Sequence, residues 1–148
     1  DRVFFHYYAT GITPAMAKPK VGTGSVYAMA ADDAEGRYLD GGKTYSVTLP
    51  GPVPAKNFWS FMVYSGQTRS ILETDQKAGG VDSNNPNIKA NDDGSFTVWF
   101  GPEAPAGKEG NWVQTKPNTS YSCLLRLYSP LAPWFDKTWK PGDFELTN

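Results

Sequence analysis

A chain of 148 residues with a formal net charge of −1 has the length of a single domain, and it carries no basic stripe of the kind that marks a nucleic-acid binder. Its longest apolar run is far shorter than the roughly 20 residues that a membrane-spanning helix needs, so no membrane insertion is expected. Aromatic residues make up 14% of the chain, with 15 Gly and 12 Pro. We therefore expect a core of a few large side chains joined by many turns.

The first ten residues, DRVFFHYYAT, are strongly apolar. Apolar residues recur four positions apart, which favours a buried helical segment; a strand that closes a sheet edge is the alternative. No capping residue precedes the segment and Asp1 is not a translation start, so we expect the end of an interrupted element in a processed chain. The candidate interdomain contacts are Phe4, Phe5, Tyr7 and Tyr8. We assign residues 1–24 to an interdomain segment and connector, and residues 25–148 to a folded domain.

From residue 25 onward, short segments of alternating apolar and polar residues are separated by Gly, Pro, Asn and Asp. This spacing predicts strands joined by turns, and so an all-β sandwich or jelly roll. The predicted strands lie at 25–31, 43–49, 57–65, 95–100, 111–115, 121–128 and 143–147. Residues 68–90 form a long loop or a meander of very short strands, and 131–139 an aromatic loop. The segment 57–65 is apolar on both faces, which predicts a central strand that is covered on both sides.

Residues that could carry chemistry are sparse. One histidine, His6, and one cysteine, Cys123, leave no cluster for a zinc site. Cys123 alternates in phase with apolar neighbours and is predicted to be a buried small hydrophobe. The Asp- and Asn-rich segments 82–87 and 91–94 could supply calcium ligands, but such clusters are more typical of turns. We predict neither a metal site nor a cofactor.

Four carboxylates are candidates for a hydrolytic pair, which needs two carboxyl groups about 5 to 9.5 Å apart. Each lies in or beside a polar loop, where a solvated charge is the ordinary state. The four are Glu73, Asp75, Asp136 and Glu145. Whether the chain is an enzyme stays open, and a role without catalysis is favoured for this chain alone.

Arg126 places a charge within an apolar strand, where it must be paired or reach water. We expect either an ion pair with a loop carboxylate such as Asp136, or an anion-binding group at the floor of a cleft. The same alternatives apply to Arg69.

Three tryptophans, Trp112, Trp134 and Trp139, fall in or beside loops. They either form platforms on which a sugar or another flat ligand stacks, or plug the ends of the sandwich and a domain interface. With Arg126 they are the candidate ligand-binding residues.

Several long stretches give the chain a specific resemblance. They are FFHYYATGITPAM, GSVYAMAADDAEGRYLDGGKTYSVTLP, PAKNFWSFMVYSGQTRSILETDQ, NDDGSFTVWFGPEAPAGKEGNWVQT and LLRLYSPLAPWFDKTWKPGDFEL. In these the chain resembles the DUF1214 family in its long form, in which DUF1214 is the C-terminal part of a bacterial protein that begins with a DUF1254 domain. The resemblance implies a jelly-roll-like β-sandwich with a short N-terminal helical or strand segment, and export to the periplasm or cell envelope. It implies no reaction.

Together these features predict a structural or interaction domain of an exported two-domain protein. Its partner would be the N-terminal domain of the same protein, either fused or as a separate cleaved chain, and a homo-oligomer is also compatible. The alternative is binding or processing of a carbohydrate or small organic ligand at a cleft lined by Trp and Arg.

Overall fold

The computed structural model describes Val3 and residues 18–147. The predictions for Phe4, Phe5, Tyr7 and Tyr8, and for a helix or strand over the first ten residues, lie outside the described residues. Within the described range the strands are β1 (Ser25–Ala30), β2 (Tyr45–Leu49), β3 (Ala55–Ser65), β4 (Gly80–Asp82), β5 (Phe96–Gly101), β6 (Trp112–Gln114), β7 (Tyr121–Pro130) and β8 (Glu145–Leu146). A 3-10 turn spans Glu109–Asn111, and a single helical turn, α1, spans Ala132–Phe135.

The strands form two sheets. The first has the order β1-β7-β3-β4 and is antiparallel throughout. The second has the order β6-β5-β2-β8, in which β5 and β6 run parallel. The predicted all-β sandwich is therefore confirmed, while its jelly-roll-like winding stays a prediction.

Strand β7 shows why the alternating pattern produces this fold. Tyr121, Cys123, Leu125 and Leu127 are all buried, and the residues between them are partly exposed on the opposite face. Because successive side chains of a strand point to opposite faces, one apolar set enters the core. Burial raises the pKa of the Cys123 thiol, so this residue is the small buried hydrophobe that the sequence predicts.

Aromatic rings from both sheets fill the core between them. Phe61 of β3 meets Phe100 of β5 edge to face, with ring centroids 5.4 Å apart, and Phe100 lies 4.9 Å from Phe144. Trp59 contacts Phe96 in the same way at 5.2 Å. Such contacts hold the sheets together through a few large side chains, as the composition predicts.

Each predicted strand segment contains a strand, and the 68–90 segment contains only the short β4. The prediction for β3 is a central strand that is covered on both faces. The strand does lie inside its sheet, between β7 and β4. One face is in the core, while Phe58, Met62 and Tyr64 on the other face are partly exposed, so coverage of that second face stays a prediction.

Candidate functional site

The outer face of the first sheet is apolar and aromatic, although it points away from the core. Strand register places Tyr27 beside Arg126, and Met29 beside Leu124, which in turn neighbours Met62. We call this surface the aromatic face; its residues are Tyr27, Met29, Phe58, Met62, Tyr64, Leu124, Arg126 and Tyr128. Tyr27 is 52% exposed and Met29 73% exposed. A large apolar patch of this kind commonly marks an interaction surface.

The outer face of the second sheet is different. There Ser46 and Thr48 of β2 alternate with buried apolar residues. The Thr48 hydroxyl lies 3.0 Å from that of Thr97 across the strand pair. The β2 part of this face is therefore polar, as expected for a solvated sandwich. Trp99 and Trp112 are neighbours on the rest of the face. The first sheet differs because apolar and aromatic residues of its outer face come from β1, β3 and β7 together.

Arg126 stands at the centre of the aromatic face. Its Nη2 donates to the Tyr64 hydroxyl at 2.8 Å, and its guanidinium carbon lies 5.6 Å from the centre of the Tyr27 ring. The pKa of Arg126 is raised above its ordinary value, first by hydrogen bonding with the Tyr128 side chain and then by the nearby Tyr64 hydroxyl. Arg126 is therefore cationic at any physiological pH.

No carboxylate neutralises this charge within the described residues, where Arg37 forms the only ion pairs, with Asp33 and Glu35. The predicted pair of Arg126 with Asp136 is therefore wrong. Asp136 instead accepts hydrogen bonds from the backbone N–H and hydroxyl of Thr138, at 3.0 and 2.7 Å. A carboxylate bonded within its own turn is not available to a guanidinium on a distant sheet face.

The Arg126 Nε is itself buried and has no hydrogen-bond partner among the described residues. A buried donor that lacks a partner costs about 1 to 3 kcal/mol, and more when the group is charged. The hydrogen-bonding capacity of the Arg126 guanidinium is therefore not fully used within the described residues.

A groove of about 540 Å³ continues the aromatic face at one end of the first sheet. Met29, Tyr64 and Leu124 belong to both surfaces, while Tyr38 and Arg69 line only the groove. Tyr38 is 81% exposed. We call this cavity the tyrosine groove. Arg69 is the only charged residue in its lining, so the groove combines apolar walls with one cation.

The second sheet borders a more polar groove of about 690 Å³. Its aromatic residue, Trp99, lies 5.0 Å from the ammonium of Lys108. The Asn111 amide is fully used, since it accepts from Lys89 N–H at 2.8 Å and donates to the carbonyls of Lys89 and Thr97. These hydrogen bonds connect the 3-10 turn at Asn111 to the loop at Lys89 and to β5 at Thr97, which is a structural role.

Contacts within the domain fix the side chains of the three candidate tryptophans. Trp112 lies in β6 and its indole N–H donates to the Gly101 carbonyl at 2.9 Å. Trp139 is 7% exposed and donates to the Pro50 carbonyl at 2.9 Å. Trp134 is partly buried, with its ring centre 6.3 Å from that of Trp139.

These positions support the end-plug interpretation of the tryptophans. The structure does not bring Arg126 together with Trp112 or Trp139: Arg126 is on the first sheet's outer face, Trp112 is in the second sheet and Trp139 is in the core. A role of the tryptophans in ligand binding stays a prediction.

The four candidate carboxylates are dispersed. Glu73 and Asp75 line a surface groove of about 590 Å³ together with Lys77. Asp136 and Glu145 are not in its lining; Asp136 follows α1, and Glu145 lies in β8 at the edge of the second sheet.

The Asp- and Asn-rich segments form turns. Asp82 accepts from the Asn84 N–H at 2.8 Å, and Asp93 accepts from both the N–H and the hydroxyl of Ser95. The Ser95 hydroxyl is the main reason that the pKa of Asp93 is lowered. In the described part of the chain, no three His, Cys, Asp or Glu side chains are grouped so that they could hold a metal ion.

Sequence reasoning missed most of the aromatic face. Tyr27, Met29 and Tyr64 were not candidates, although the β1 sequence SVYAMA is apolar at both alternating sets of positions. The available signal was a predicted strand that is apolar on both faces. No helix in residues 18–147 has the length and apolar character to cross a membrane.

Comparison with solved structures agrees with this fold. The chain is similar to the VPA0106 protein from Vibrio parahaemolyticus, with a TM-score of 0.72 and 18% identity over 84% of this chain and 31% of that one. It is also similar to an uncharacterized protein from Burkholderia cenocepacia, with a TM-score of 0.50 and 22% identity over 86% of this chain and 31% of that one. The chain thus spans about a third of the length of either protein. No curated protein matches it.

The family is established by the sequence itself. Residues 24–132, most of the sandwich, match the DUF1214 family, which is described as a protein of unknown function. The chain belongs to the DUF1214 family.

Proposed function

We propose that this chain is an interaction domain that docks through its aromatic face against another part of a longer polypeptide. The observation that carries the proposal is the exposed apolar and aromatic outer face of the first sheet, with Arg126 at its centre. Two similar proteins of known structure are about three times as long as this chain, which supports a further domain as the partner.

Arg126 gives the docking surface a chemical preference. The Arg126 guanidinium is ringed by tyrosines and has no carboxylate partner among the described residues, so it favours a carboxylate or another acceptor on the opposing surface. The flanking Tyr27 and Met29 favour apolar contacts around that acceptor. We therefore propose a partner surface that is apolar, with an acidic group near its centre.

The identity of the partner follows from the family resemblance. We propose that it is the N-terminal DUF1254 domain of the same protein, which works in the periplasm or cell envelope of a bacterium. The sandwich, with the jelly-roll-like winding that the resemblance implies, would then serve to hold and orient that domain.

Side-chain oxidation by hydroxyl radicals tests the docking. In this chain alone, the exposed side chains of Tyr27 and Met29 should react rapidly. In the natural full-length protein, the proposal expects both to be protected severalfold. Trp99, on the other sheet, serves as the control and should react equally in both samples. Equal rates at Tyr27 and Met29 in the two samples would contradict the proposal.

A second candidate function is supported by the tyrosine groove. Its apolar wall and its single cation, Arg69, fit a small organic anion better than a neutral sugar. Titration with benzoate, followed by NMR shifts of Tyr38 and Tyr64, should saturate in the wild type and weaken in Arg69→Met. A glucoside serves as the neutral comparison, and unsaturable shifts with benzoate would exclude this function.

A further inference from the structure

Strand β1 forms one edge of the first sheet, and its sequence lacks the charges and prolines that often keep an edge strand from pairing. Its sequence, SVYAMA, contains no charge and no proline over six residues. The other edges are short: β4 and β6 have three residues each, and β8 has two, one of them Glu145. Proteins commonly protect edge strands by shortness, charge or proline. Among the described strands, β1 is the edge that is most open to another strand.

The backbone of β1 offers hydrogen bonds on its free side. The Gly24 carbonyl accepts from the Ser129 N–H at 2.7 Å, which fixes the phase of pairing with β7. Alternate residues of an antiparallel strand bond to the same neighbour, so the even-numbered residues of β1 face β7. The N–H and C=O groups of Ser25, Tyr27 and Met29 point the other way, and they have no partner in the described range. We call these groups the β1 edge.

A small cavity of about 130 Å³ lies between β1 and residues 141–144. It reaches Phe61, Cys123 and Leu125, which belong to the buried core. A strand added along β1 would place alternate side chains over this cavity. Its other side chains would lie beside Tyr27 and Met29, so the added strand should be apolar on that face. The cavity lining includes Asp32 and Asp143, so the side chains over it should carry no negative charge.

We infer that the β1 edge receives an extended strand with no acidic side chains from the rest of a longer polypeptide and that this strand enlarges the first sheet. The inference rests on the proposed function, because the surface that covers the aromatic face would also reach Tyr27 and Met29. Main-chain pairing gives such a contact its affinity, and the alternate side chains give it specificity.

Backbone hydrogen exchange tests the inference separately from docking on the aromatic face. In this chain alone, the amides of Tyr27 and Met29 should exchange freely, while those of Val26 and Ala28 are protected by β7. In the natural full-length protein, we expect the Tyr27 and Met29 amides to slow by at least about tenfold, since a strand hydrogen bond would have to open first.

A matched pair of variants adds a second readout. Met29→Pro removes an N–H on the free side without removing a bond to β7, and proline is tolerated at such edge positions. Met29→Thr changes the same exposed side chain and keeps the N–H. In this chain alone both variants should melt at similar temperatures. In the full-length protein, only Met29→Pro should restore fast exchange at Tyr27.

The outcomes separate the two proposals. Slowed oxidation of the Tyr27 and Met29 side chains with free exchange of their backbone amides would overturn the added strand and leave the docking face standing. Protection of these amides already in this chain alone would also overturn it, because the strand would then come from this chain or from a second copy. A natural gene that encodes no further polypeptide would refute both proposals.

Discussion

Arg126 on the aromatic face differs from an arginine that is paired within the fold. Arg126 is held by the Tyr64 hydroxyl and the Tyr27 ring, yet its Nε lacks a partner within the described residues. The charge is therefore tolerated by the fold and is not required by it. A structural arginine would instead carry its own carboxylate, as Arg37 does with Asp33.

Replacing Arg126 by Met tests that difference. The methionine keeps the apolar stem and removes a partly desolvated charge, so the loss of the Tyr64 hydrogen bond is offset. We expect the free energy of unfolding of this chain to change by no more than about 1 kcal/mol in urea denaturation. Leu124→Met, on the same face, is the control for altered packing. A loss of several kcal/mol would show that Arg126 is a structural residue.

The hydrogen bonds of Asp33 lead to a prediction about the stability of the fold at acidic pH. Its side chain accepts hydrogen bonds from the backbone N–H groups of Arg37 and Glu35, each at 3.0 Å, and from the Arg37 Nε at 2.9 Å. The backbone bond from Arg37 is the main reason that the pKa of Asp33 is lowered. The stability from this group is thus present above the unfolded-state pKa of about 3.9 and is lost as the pH falls through the lower folded value.

We therefore expect Asp33→Asn to melt at a lower temperature than the wild type at pH 7, with the difference shrinking as the pH falls below about 4. Thermal melts from neutral to acidic pH would measure this. Asp92→Asn, an exposed residue in another turn, is a suitable control. A difference that stays constant with pH would mean that the charge of Asp33 contributes nothing to stability.

At the scale of elements, the strands were predictable because turns and alternation mark them locally. Asn91–Gly94 closes a turn through the Gly94 N–H and Asn91 carbonyl at 2.9 Å, and β5 follows it as expected. It was harder to predict which surface each face of a strand contacts. The pattern of β3 shows that both sides are apolar, but it does not show whether the second side meets the same chain or another surface.

The candidate site was harder to predict for the same reason. Arg126 could be identified as an unusual charge in an apolar strand, but its neighbours depend on register. Tyr27 reaches it because β1 pairs with β7, almost a hundred positions later in the sequence. Tyr64 reaches it because β3 pairs with the other side of β7. No local pattern encodes these pairings.

The next prediction concerns how the segment after β7 contributes to stability. Trp139 is buried and its indole N–H donates to the Pro50 carbonyl, which ties this segment to the end of β2. Trp139→Phe removes the donor and some packing, and we expect it to lower the free energy of unfolding by about 1 to 3 kcal/mol in denaturant titrations. Trp134→Phe, which is less buried, should cost less. Equal effects would argue against the anchoring role of the Trp139 hydrogen bond.

At the scale of the whole molecule, one set of rings joins the two sheets. Phe100 has no exposed surface and contacts Phe61 of the first sheet and Phe144 of the C-terminal segment. It therefore connects three parts of the chain through a single side chain. Loss of that connection should affect the whole sandwich together.

Phe100→Ala is expected to cost about 3 to 5 kcal/mol, because burial is lost and a cavity remains between the sheets. Against a total stability of about 5 to 15 kcal/mol, this change would leave the domain marginal. Urea denaturation followed by tryptophan fluorescence would measure the loss. Phe100→Leu should cost clearly less, and equal costs would mean that cavity volume does not govern this site.

The position of β7 in the first sheet also bears on how the protein is made. It pairs with β1 on one side and β3 on the other, yet its first residue, Tyr121, is translated long after Ser25. At about 5 to 20 residues per second, a ribosome needs roughly 5 to 20 s to cover that interval. During this interval the apolar strands β1 and β3 have been synthesised, but β7, which lies between them in the sheet, has not. Nascent chains of this protein should therefore depend on chaperones until the last quarter of the sandwich emerges.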